Sequence, residues 1–347
     1  MELIKPKRLY NGDTIATVSI SHGWAGDEKS RWKYELGKKR LEDLYGLNVV
    51  PAPNSMRGSE FLSNNLQARA DDLIWAFENK NIKAIIANVG GNDSVKLLPL
   101  IDSAIIKDNP KIFIGMSDIM NINLLCLKAG LSTFYGHNLF TIGEAQGFHQ
   151  YSEKWFRKTL FEAAPIGIIE PSENWTCEKT DPHDKNVVRN YYSNAGYELI
   201  QGEGVVQGKL IGGHTGIMPG KIYRWVENEP IALSADDYNQ SILFIEDIPE
   251  FFSPDNLKDF LKWLGENNFL RKLNGIIIGK LSEKINFSEH GNVIKNIIGN
   301  EYGLKNLPVI YGLNFGHTSP IFVLPYGAKA EINCDDISFS ILESGVL

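Results

Sequence analysis

The sequence predicts an α/β protein of two domains. Its length of 347 residues corresponds to about two domains at roughly 100 to 200 residues each. In the first half, short apolar runs alternate with segments whose apolar residues recur at helical spacing, and this alternation stops after Phe161. Because strands that alternate with helices usually pair in parallel, we expect an N-terminal parallel sheet covered by helices, of the Rossmann- or flavodoxin-like kind.

The N-terminal half contains four predicted strands and the helices between them. The strands are short apolar runs, each beside a glycine-containing or polar turn, at residues 14–19, 47–50, 84–87 and 112–114. The helices have one apolar face and cover 29–45, 65–78 and 119–129, with a shorter one ending near Leu100. Gly46 provides a stop for the first of these helices, and Ser63 a cap before the second.

A domain boundary is expected near residue 165. There Pro165 and Pro171 bracket a short strand, and a polar, aromatic-containing insertion follows at about 173–196. Beyond the insertion, strands are predicted at 209–211, 242–245, 275–278 and 309–311, and helices at 254–266 and 289–298. We therefore assign 1–165 to the parallel α/β domain and 166–347 to a smaller C-terminal mixed β/α domain.

Composition excludes several classes of protein. Hydrophobic residues make up 43% and charged residues 22%, as in ordinary soluble globular proteins. The net charge is −7 without a Lys/Arg run, so nucleic acid is not an expected partner. No apolar run approaches the roughly 18 residues of a membrane span, and no signal peptide is recognisable. The widely spaced Cys126, Cys177 and Cys334 predict neither a metal site nor a disulfide framework and favour a cytoplasmic location.

Ser117 is the first candidate for chemistry. It follows a predicted buried strand in Gly115-Met116-Ser117-Asp118, which places its hydroxyl at the carboxyl end of the sheet, where ligands collect in such folds. Gly115 permits a sharp turn, and the helix that follows directs free N–H groups towards this point. Ser117 is therefore either a nucleophile or a helix cap. The stretch lacks the G-x-S-x-G pattern of α/β-hydrolases.

A nucleophilic serine needs a base, and neutral histidine suits that task near pH 7. His317 lies in a glycine-flanked loop after a predicted strand, while His22, His137 and His214 also adjoin glycines and remain alternatives. The other three histidines lie in polar stretches and are interpreted as surface residues.

The base in turn needs an acceptor that fixes its tautomer, usually a carboxylate. Glu246 ends the apolar run 242–245, and Asp247 and Glu250 are alternatives on the following loop. Gly90-Gly91 permits a backbone N–H to point at a developing oxyanion.

Four motifs occur in order along nearly the whole chain, and together they resemble the LD-carboxypeptidase family of serine peptidases. They are Val89-Gly90-Gly91-Asn92-Asp93, Gly115-Met116-Ser117-Asp118-Ile119, Leu243-Phe244-Ile245-Glu246 and Asn314-Phe315-Gly316-His317-Thr318. The length of the chain and its aromatic-bearing insertion are more similar to the microcin C self-immunity branch than to the muropeptide LD-carboxypeptidases.

The resemblance implies a triad of Ser117 as nucleophile, His317 as base and then acid, and Glu246 orienting the imidazole. It also implies an oxyanion hole formed by the N–H groups of Gly91 and Asp118, a homodimer, and no metal or organic cofactor. The microcin-immunity branch cleaves an amide between an amino acid and a nucleotide-like group. The alternatives are muropeptide cleavage in peptidoglycan recycling and, from another class, a non-catalytic small-ligand binder.

Two features bear on the substrate. Relatives in the microcin-immunity branch usually have Gly-Gly-Asn in a substrate-contacting loop where this chain has Gly212-Gly213-His214. Trp175 resembles the tryptophan that stacks on a nucleobase in such relatives, or it anchors the insertion to the core. The resemblance thus implies Gly213, His214 and Trp175 as substrate-binding residues.

Overall fold

The computed structural model describes residues 3–218, 233–282 and 287–347. In chain order, the strands are β1 Thr14–Val18, β2 Asn48–Pro51, β3 Ile82–Ala87, β4 Ile112–Gly115, β5 Phe134–Tyr135, β6 Gly167–Ile168, β7 Asn174–Trp175, β8 Tyr192–Ser193, β9 Glu198–Gln201, β10 Val205–His214, β11 Ser241–Glu246, β12 Leu273–Gly279, β13 Val309–Leu313, β14 Leu324–Pro325, β15 Lys329–Asn333 and β16 Ser338–Ile341. The α-helices are α1 Arg31–Tyr45, α2 Gly58–Asn64, α3 Leu66–Glu78, α4 Ser103–Asp108, α5 Met120–Lys128, α6 Leu139–Ile142, α7 Gln150–Leu160, α8 Pro254–Glu266 and α9 Ser288–Ile294. Short 3₁₀ helices cover Ser94–Leu100, Ser117–Ile119, Ala235–Tyr238 and Leu270–Lys272, and a π-helical segment, Lys295–Glu301, continues α9.

The first sheet has the strand order β14-β5-β4-β3-β1-β2. Strands β1 to β5 pair in parallel, and β14 adds an antiparallel edge. All four residues of β4 are buried, as expected for a central strand of a parallel sheet with helices on its faces. The predicted α/β class and the four N-terminal strands are confirmed.

The second sheet has the order β6-β16-β15-β10-β11-β12-β13-β9. Its four central strands are parallel, and β9, β15, β16 and β6 pair antiparallel at the two sides. Within the described ranges of the chain, this sheet has eight strands against six in the first. The sequence pattern predicted the apolar central strands and the edge strand β6, which lies between Pro165 and Pro171. It missed β9, β15 and β16, because those are short and only partly apolar.

The two halves of the chain are packed together around the element that carries Ser117. Strand β14, from the C-terminal half, pairs with β5 of the first sheet. The hydrophobic core beneath the second sheet also includes Met116, Met120 and Tyr135 from the first half of the chain. Each of these residues has 5% or less of its surface exposed. The carboxyl end of β4 therefore lies against the carboxyl end of β11. The boundary at residue 165 stays a prediction.

The insertion contains the short paired strands β7 and β8 and the loop between them. Its loop reaches the N-terminal half, where the Trp32 indole Nε1 donates to the carbonyl of Pro182 at 3.0 Å. Among the described residues, no helix is both long and apolar enough to cross a membrane.

Candidate active site

Ser117 lies at a strained turn between β4 and α5. Its φ of +62° is in the left-handed region, which non-glycine residues seldom adopt except where the surroundings impose it, as at nucleophile turns. A Cβ on Gly115 would stand 2.5 Å from Ile119 Cγ2, so the turn needs glycine at that position. The Ser117 N–H donates to the hydroxyl oxygen of Tyr135 at 3.1 Å. These contacts hold the serine side chain at the carboxyl end of the sheet.

His317 lies between Ser117 and Glu246. Its Nε2 is 3.1 Å from Ser117 Oγ, and its Nδ1 is 2.6 Å from Glu246 Oε2. The same carboxylate oxygen also accepts the backbone N–H of His317 at 3.2 Å. Since an ionised carboxylate only accepts, Nδ1 carries the proton and Nε2 is left to accept one from the serine hydroxyl.

Glu246 is fully buried at the end of β11. Burial alone would raise the pKa of this carboxyl group, but the imidazole of His317 and the hydrogen bond from the Tyr135 hydroxyl outweigh it and hold the pKa at about 2. Burial correspondingly opposes protonation of His317, yet Glu246 raises the pKa of the imidazole above its usual value. The carboxylate therefore stabilises the charge that His317 gains when it accepts a proton.

The alternative carboxylates do not contact His317. Asp247 accepts the hydroxyl of Thr215 and the N–H of Ile248, and burial raises its pKa to about 7. Glu250 pairs with the exposed Lys179 at 3.0 Å. Of the three predicted candidates, the structure brings only Glu246 to the imidazole.

Among the described residues, none of the three alternative histidines is hydrogen-bonded to Ser117 or Glu246. His137 is enclosed by Phe148 and other aromatic side chains, and burial lowers its pKa to about 3. His214 is buried behind His317, with 5.1 Å between the ring centres, and burial lowers its pKa to about 4. His22 packs against Trp24, with 4.7 Å between the ring centres, and lines the cavity described below.

Gly90 and Gly91 lie across from the serine. A Cβ on Gly90 would stand 3.2 Å from Ser117 Cβ, and one on Gly91 would stand 2.1 Å from Ser21 Oγ. A side chain at Gly91 would clash with Ser21, one at Gly90 would be tightly crowded, and the Gly90 backbone comes close to Ser117. Both glycines line the same cavity as the serine hydroxyl.

Asp118 follows Ser117 at the start of the 3₁₀ turn, and its side chain is buried. Its carboxylate accepts the N–H of Ser94 at 2.9 Å and the amide of Asn121 at 3.1 Å. These two hydrogen bonds tie the Asp118 side chain to Ser94 and Asn121 and so stabilise the turn at Ser117. The oxyanion role of the Gly91 and Asp118 N–H groups stays a prediction.

A cavity of about 410 Å³ opens in front of the serine. Its wall includes Ser117 and Trp24 from the first half, Thr180 and Arg189 from the insertion, and His317 and Ser319 from the C-terminal loop. The cavity is therefore built where both halves and the insertion meet. In the described part of the chain, no three His, Cys, Asp or Glu side chains are grouped so as to hold a metal ion.

The three predicted substrate-binding residues lie off this wall. Trp175 has 7% of its surface exposed and packs under Lys280, whose Nζ lies 4.9 Å from the indole ring centre. Gly213 faces the Met120 side chain, and His214 is enclosed behind His317. Trp175 has the contacts of a residue that anchors the insertion.

Sequence reasoning missed two groups of residues. Tyr135, which bonds both Ser117 and Glu246, lies on a two-residue strand without a recognisable pattern. Arg189 and Glu144 face the cavity, and the only signal for Arg189 was its place in the polar insertion.

Comparison with known proteins supplies the family context. Residues 15–136 match the model of the LD-carboxypeptidase N-terminal domain, and residues 207–332 match that of the LD-carboxypeptidase C-terminal domain. A putative carboxypeptidase of Bacillus subtilis, YocD, is 32% identical over 330 residues, which is 94% of each chain. The microcin C7 self-immunity protein MccF of Escherichia coli is 29% identical over 343 residues, 96% of this chain and 94% of MccF.

Solved structures show the same relationship. A crystal structure of an MccF-like protein from Streptococcus pneumoniae, in complex with AMP, superposes with a TM-score of 0.83 at 30% identity. The match covers 95% of this chain and 98% of the other. The two-domain architecture is thus shared with MccF-like proteins along nearly the whole chain.

Proposed function

The chain is a serine-type carboxypeptidase that belongs to the LD-carboxypeptidase family, and from this premise we propose that it works through a Ser117–His317–Glu246 triad. One observation carries the proposal. A continuous hydrogen-bonded path runs from Ser117 Oγ through both imidazole nitrogens to a buried carboxylate, with heavy-atom distances of 3.1 Å and 2.6 Å. This is the arrangement that a serine needs to lose its proton while it attacks a carbonyl carbon.

In the proposed reaction, Ser117 Oγ attacks the carbonyl carbon of the scissile amide as His317 Nε2 takes the hydroxyl proton. Glu246 stays ionised and stabilises the imidazolium. The N–H groups of Gly91 and Asp118 bind the oxyanion of the tetrahedral intermediate. The C–N bond then breaks as His317 returns the proton to the leaving nitrogen, which leaves an acyl-enzyme on Ser117. A water molecule, deprotonated by His317, hydrolyses that ester and restores the free serine.

The proposed substrate has an amide that joins an amino acid to a nucleotide-like group. Two similar proteins support this choice: the MccF-like protein from Streptococcus pneumoniae was solved with AMP, and MccF was solved with aspartyl sulfamoyl adenosine. In this chain the cavity wall combines aromatic rings, Trp24 and Phe148, with the guanidinium of Arg189, which suits a base and an anionic linkage.

A second candidate is cleavage of muropeptides during peptidoglycan recycling. It is favoured by a probable murein peptide carboxypeptidase of Bacillus subtilis that is 25% identical over 344 residues, 99% of this chain. A homodimer and a cytoplasmic location also belong to the proposal. No disulfide bond joins any two of the three cysteines, which supports a reducing compartment.

Product analysis by mass spectrometry separates the two candidates. The protein is incubated with aspartyl sulfamoyl adenosine and, separately, with an L,D-linked muropeptide tetrapeptide, and Ser117→Ala serves as the control. We expect free aspartate and sulfamoyl adenosine from the first substrate. Release of terminal D-alanine from the second substrate alone would instead assign the protein to cell-wall recycling. Cleavage of neither would contradict both substrate proposals and favour the non-catalytic binder.

A further inference from the structure

Arg189 is a cavity residue with unused hydrogen-bonding capacity. Its side chain has 9% of its surface exposed, and a guanidinium carries five N–H donors. Among the described residues, its one hydrogen bond runs from Nη2 to the Tyr191 hydroxyl at a long 3.4 Å. Its Nε is buried without a partner in the described part of the chain. Such a buried, under-bonded cation is costly unless an acceptor occupies the adjoining space.

The nearest carboxylate is already engaged by another cation. Glu144 Oε1 accepts from Lys33 Nζ at 2.7 Å and from the Thr180 hydroxyl at 3.1 Å, and the Lys33 side chain is only 4% exposed. Arg189 Nη2 lies 3.8 Å from Glu144 Oε2, which is beyond hydrogen-bond distance. Among the described residues, this buried cluster therefore contains two cations and one carboxylate, and the carboxylate is hydrogen-bonded to Lys33 rather than to Arg189.

Among the described residues, the cavity wall carries two further charged groups, one of each sign. Lys179 is a second cation, 59% exposed and paired with Glu250 at 3.0 Å. Glu178 is engaged within the insertion, where its carboxylate accepts from Asn190 and from the Tyr192 hydroxyl.

The backbone of Arg189 is held by two hydrogen bonds, and Arg189 lies close to the loop that carries His317 and Ser319. Its backbone N–H donates to Gln146 Oε1 at 2.8 Å, and its carbonyl accepts from Gln146 Nε2 at 3.1 Å. Tyr191, which it contacts, lies with its hydroxyl 3.3 Å from Ser319 Oγ. Ser319 is two residues beyond His317 and lines the same cavity.

We propose that the Arg189 guanidinium binds an anionic group of the substrate, a phosphate or a terminal carboxylate, in the cavity beside Ser117. This inference rests on the proposed function, because the proposed function places the reacting amide at Ser117. The planar fork of arginine matches the paired oxygens of both anions, whereas a lysine offers only a point charge. A substrate that lacks the anion would leave most of the buried guanidinium N–H donors without an acceptor, and Arg189 would then select against it.

The test measures binding without turnover, by calorimetry on Ser117→Ala protein. The anionic probes are AMP and the muropeptide tetrapeptide. Their counterparts, each neutral at the group tested, are adenosine and the tetrapeptide with its terminal carboxylate converted to an amide. Adding Arg189→Gln should weaken binding of one anionic probe by about 10- to 100-fold and leave its neutral counterpart unchanged. The probe that responds identifies the source of the anion, and Arg189→Lys should restore binding only in part.

Lys179→Gln is the matched control, because it removes a cation from the same wall but from an exposed side chain. We expect it to change the affinity for the anionic probe less than threefold. The proposal is overturned if Lys179→Gln and Arg189→Gln lower the affinity for the anionic probe equally. It is also overturned if Arg189→Gln lowers the affinity for the neutral counterpart as much as that for the anionic probe, or if neither anionic probe binds. Because binding is measured on Ser117→Ala protein, failure of the triad proposal would show in the turnover assay and not in these affinities.

Discussion

Ser117→Ala is expected to lower kcat by about 10⁴- to 10⁶-fold, the loss that follows removal of a triad nucleophile. The reason is that Ser117 Oγ forms the covalent bond of the acyl-enzyme, and no other hydroxyl contacts His317 Nε2 among the described residues. Alanine has the same Cβ as serine, so the backbone at φ +62° is no more strained than before. Steady-state kinetics with the cleaved substrate measures the loss, and thermal unfolding should show an unchanged midpoint.

Thr141→Val is the control for Ser117→Ala. Thr141 also lines the cavity, but its hydroxyl donates to the carbonyl of Asn138 and lies 3.0 Å from His137 Nδ1. It takes no part in the proposed chemistry. We expect its kcat to stay within about tenfold of the unmodified protein, as for a lost neutral hydrogen bond. Near-normal turnover by Ser117→Ala would end the triad proposal.

Glu246→Gln is expected to lower kcat/KM by about 10²- to 10⁴-fold and to move its acid limb to lower pH. His317 must be neutral to accept the serine proton, so activity falls as the pH drops through the pKa of its imidazole. Glu246 raises that pKa, and with a neutral amide in its place the opposing effect of burial prevails. The pH profile of kcat/KM measures both changes.

Asp247→Asn provides the comparison for Glu246→Gln. Asp247 is the next residue along the chain, is equally buried, and bonds Thr215 rather than His317. We expect a smaller loss of activity and a smaller shift of the acid limb. If Asp247→Asn abolishes activity while Glu246→Gln does not, Asp247 is the carboxylate partner and the proposed triad is wrong.

The sequence predicts the central strands and the local setting of Ser117 well. The apolar runs that become β4 and β11 are fully buried in the structure, and buried strands leave the clearest pattern in a sequence. Gly115 and the polar residues after it also mark the turn that holds Ser117. Nothing local shows that the ends of β4 and β11, which belong to different sheets, meet. The combination of Ser117, Glu246 and His317 came from the resemblance of four ordered motifs.

The cavity wall could not be predicted in the same way. Lys33 and Glu144 form a buried ion pair at 2.7 Å although 111 positions separate them, and no periodicity records such a contact. The insertion was recognised by its composition, yet the sequence directed attention to Trp175, which is buried, and not to Arg189, which faces the cavity. In an irregular loop, the direction of each side chain is set by tertiary contacts such as those between Gln146 and Arg189.

Labelling with a fluorophosphonate probe tests the central claim, an activated serine at position 117, most directly. The phosphonyl group reacts with a serine hydroxyl only where a neighbouring base activates it. We predict one adduct per chain, located at Ser117 by peptide mass spectrometry, absent from Ser117→Ala protein and absent after denaturation. An unlabelled native protein, or a label on another residue that persists after Ser117→Ala, would contradict the account.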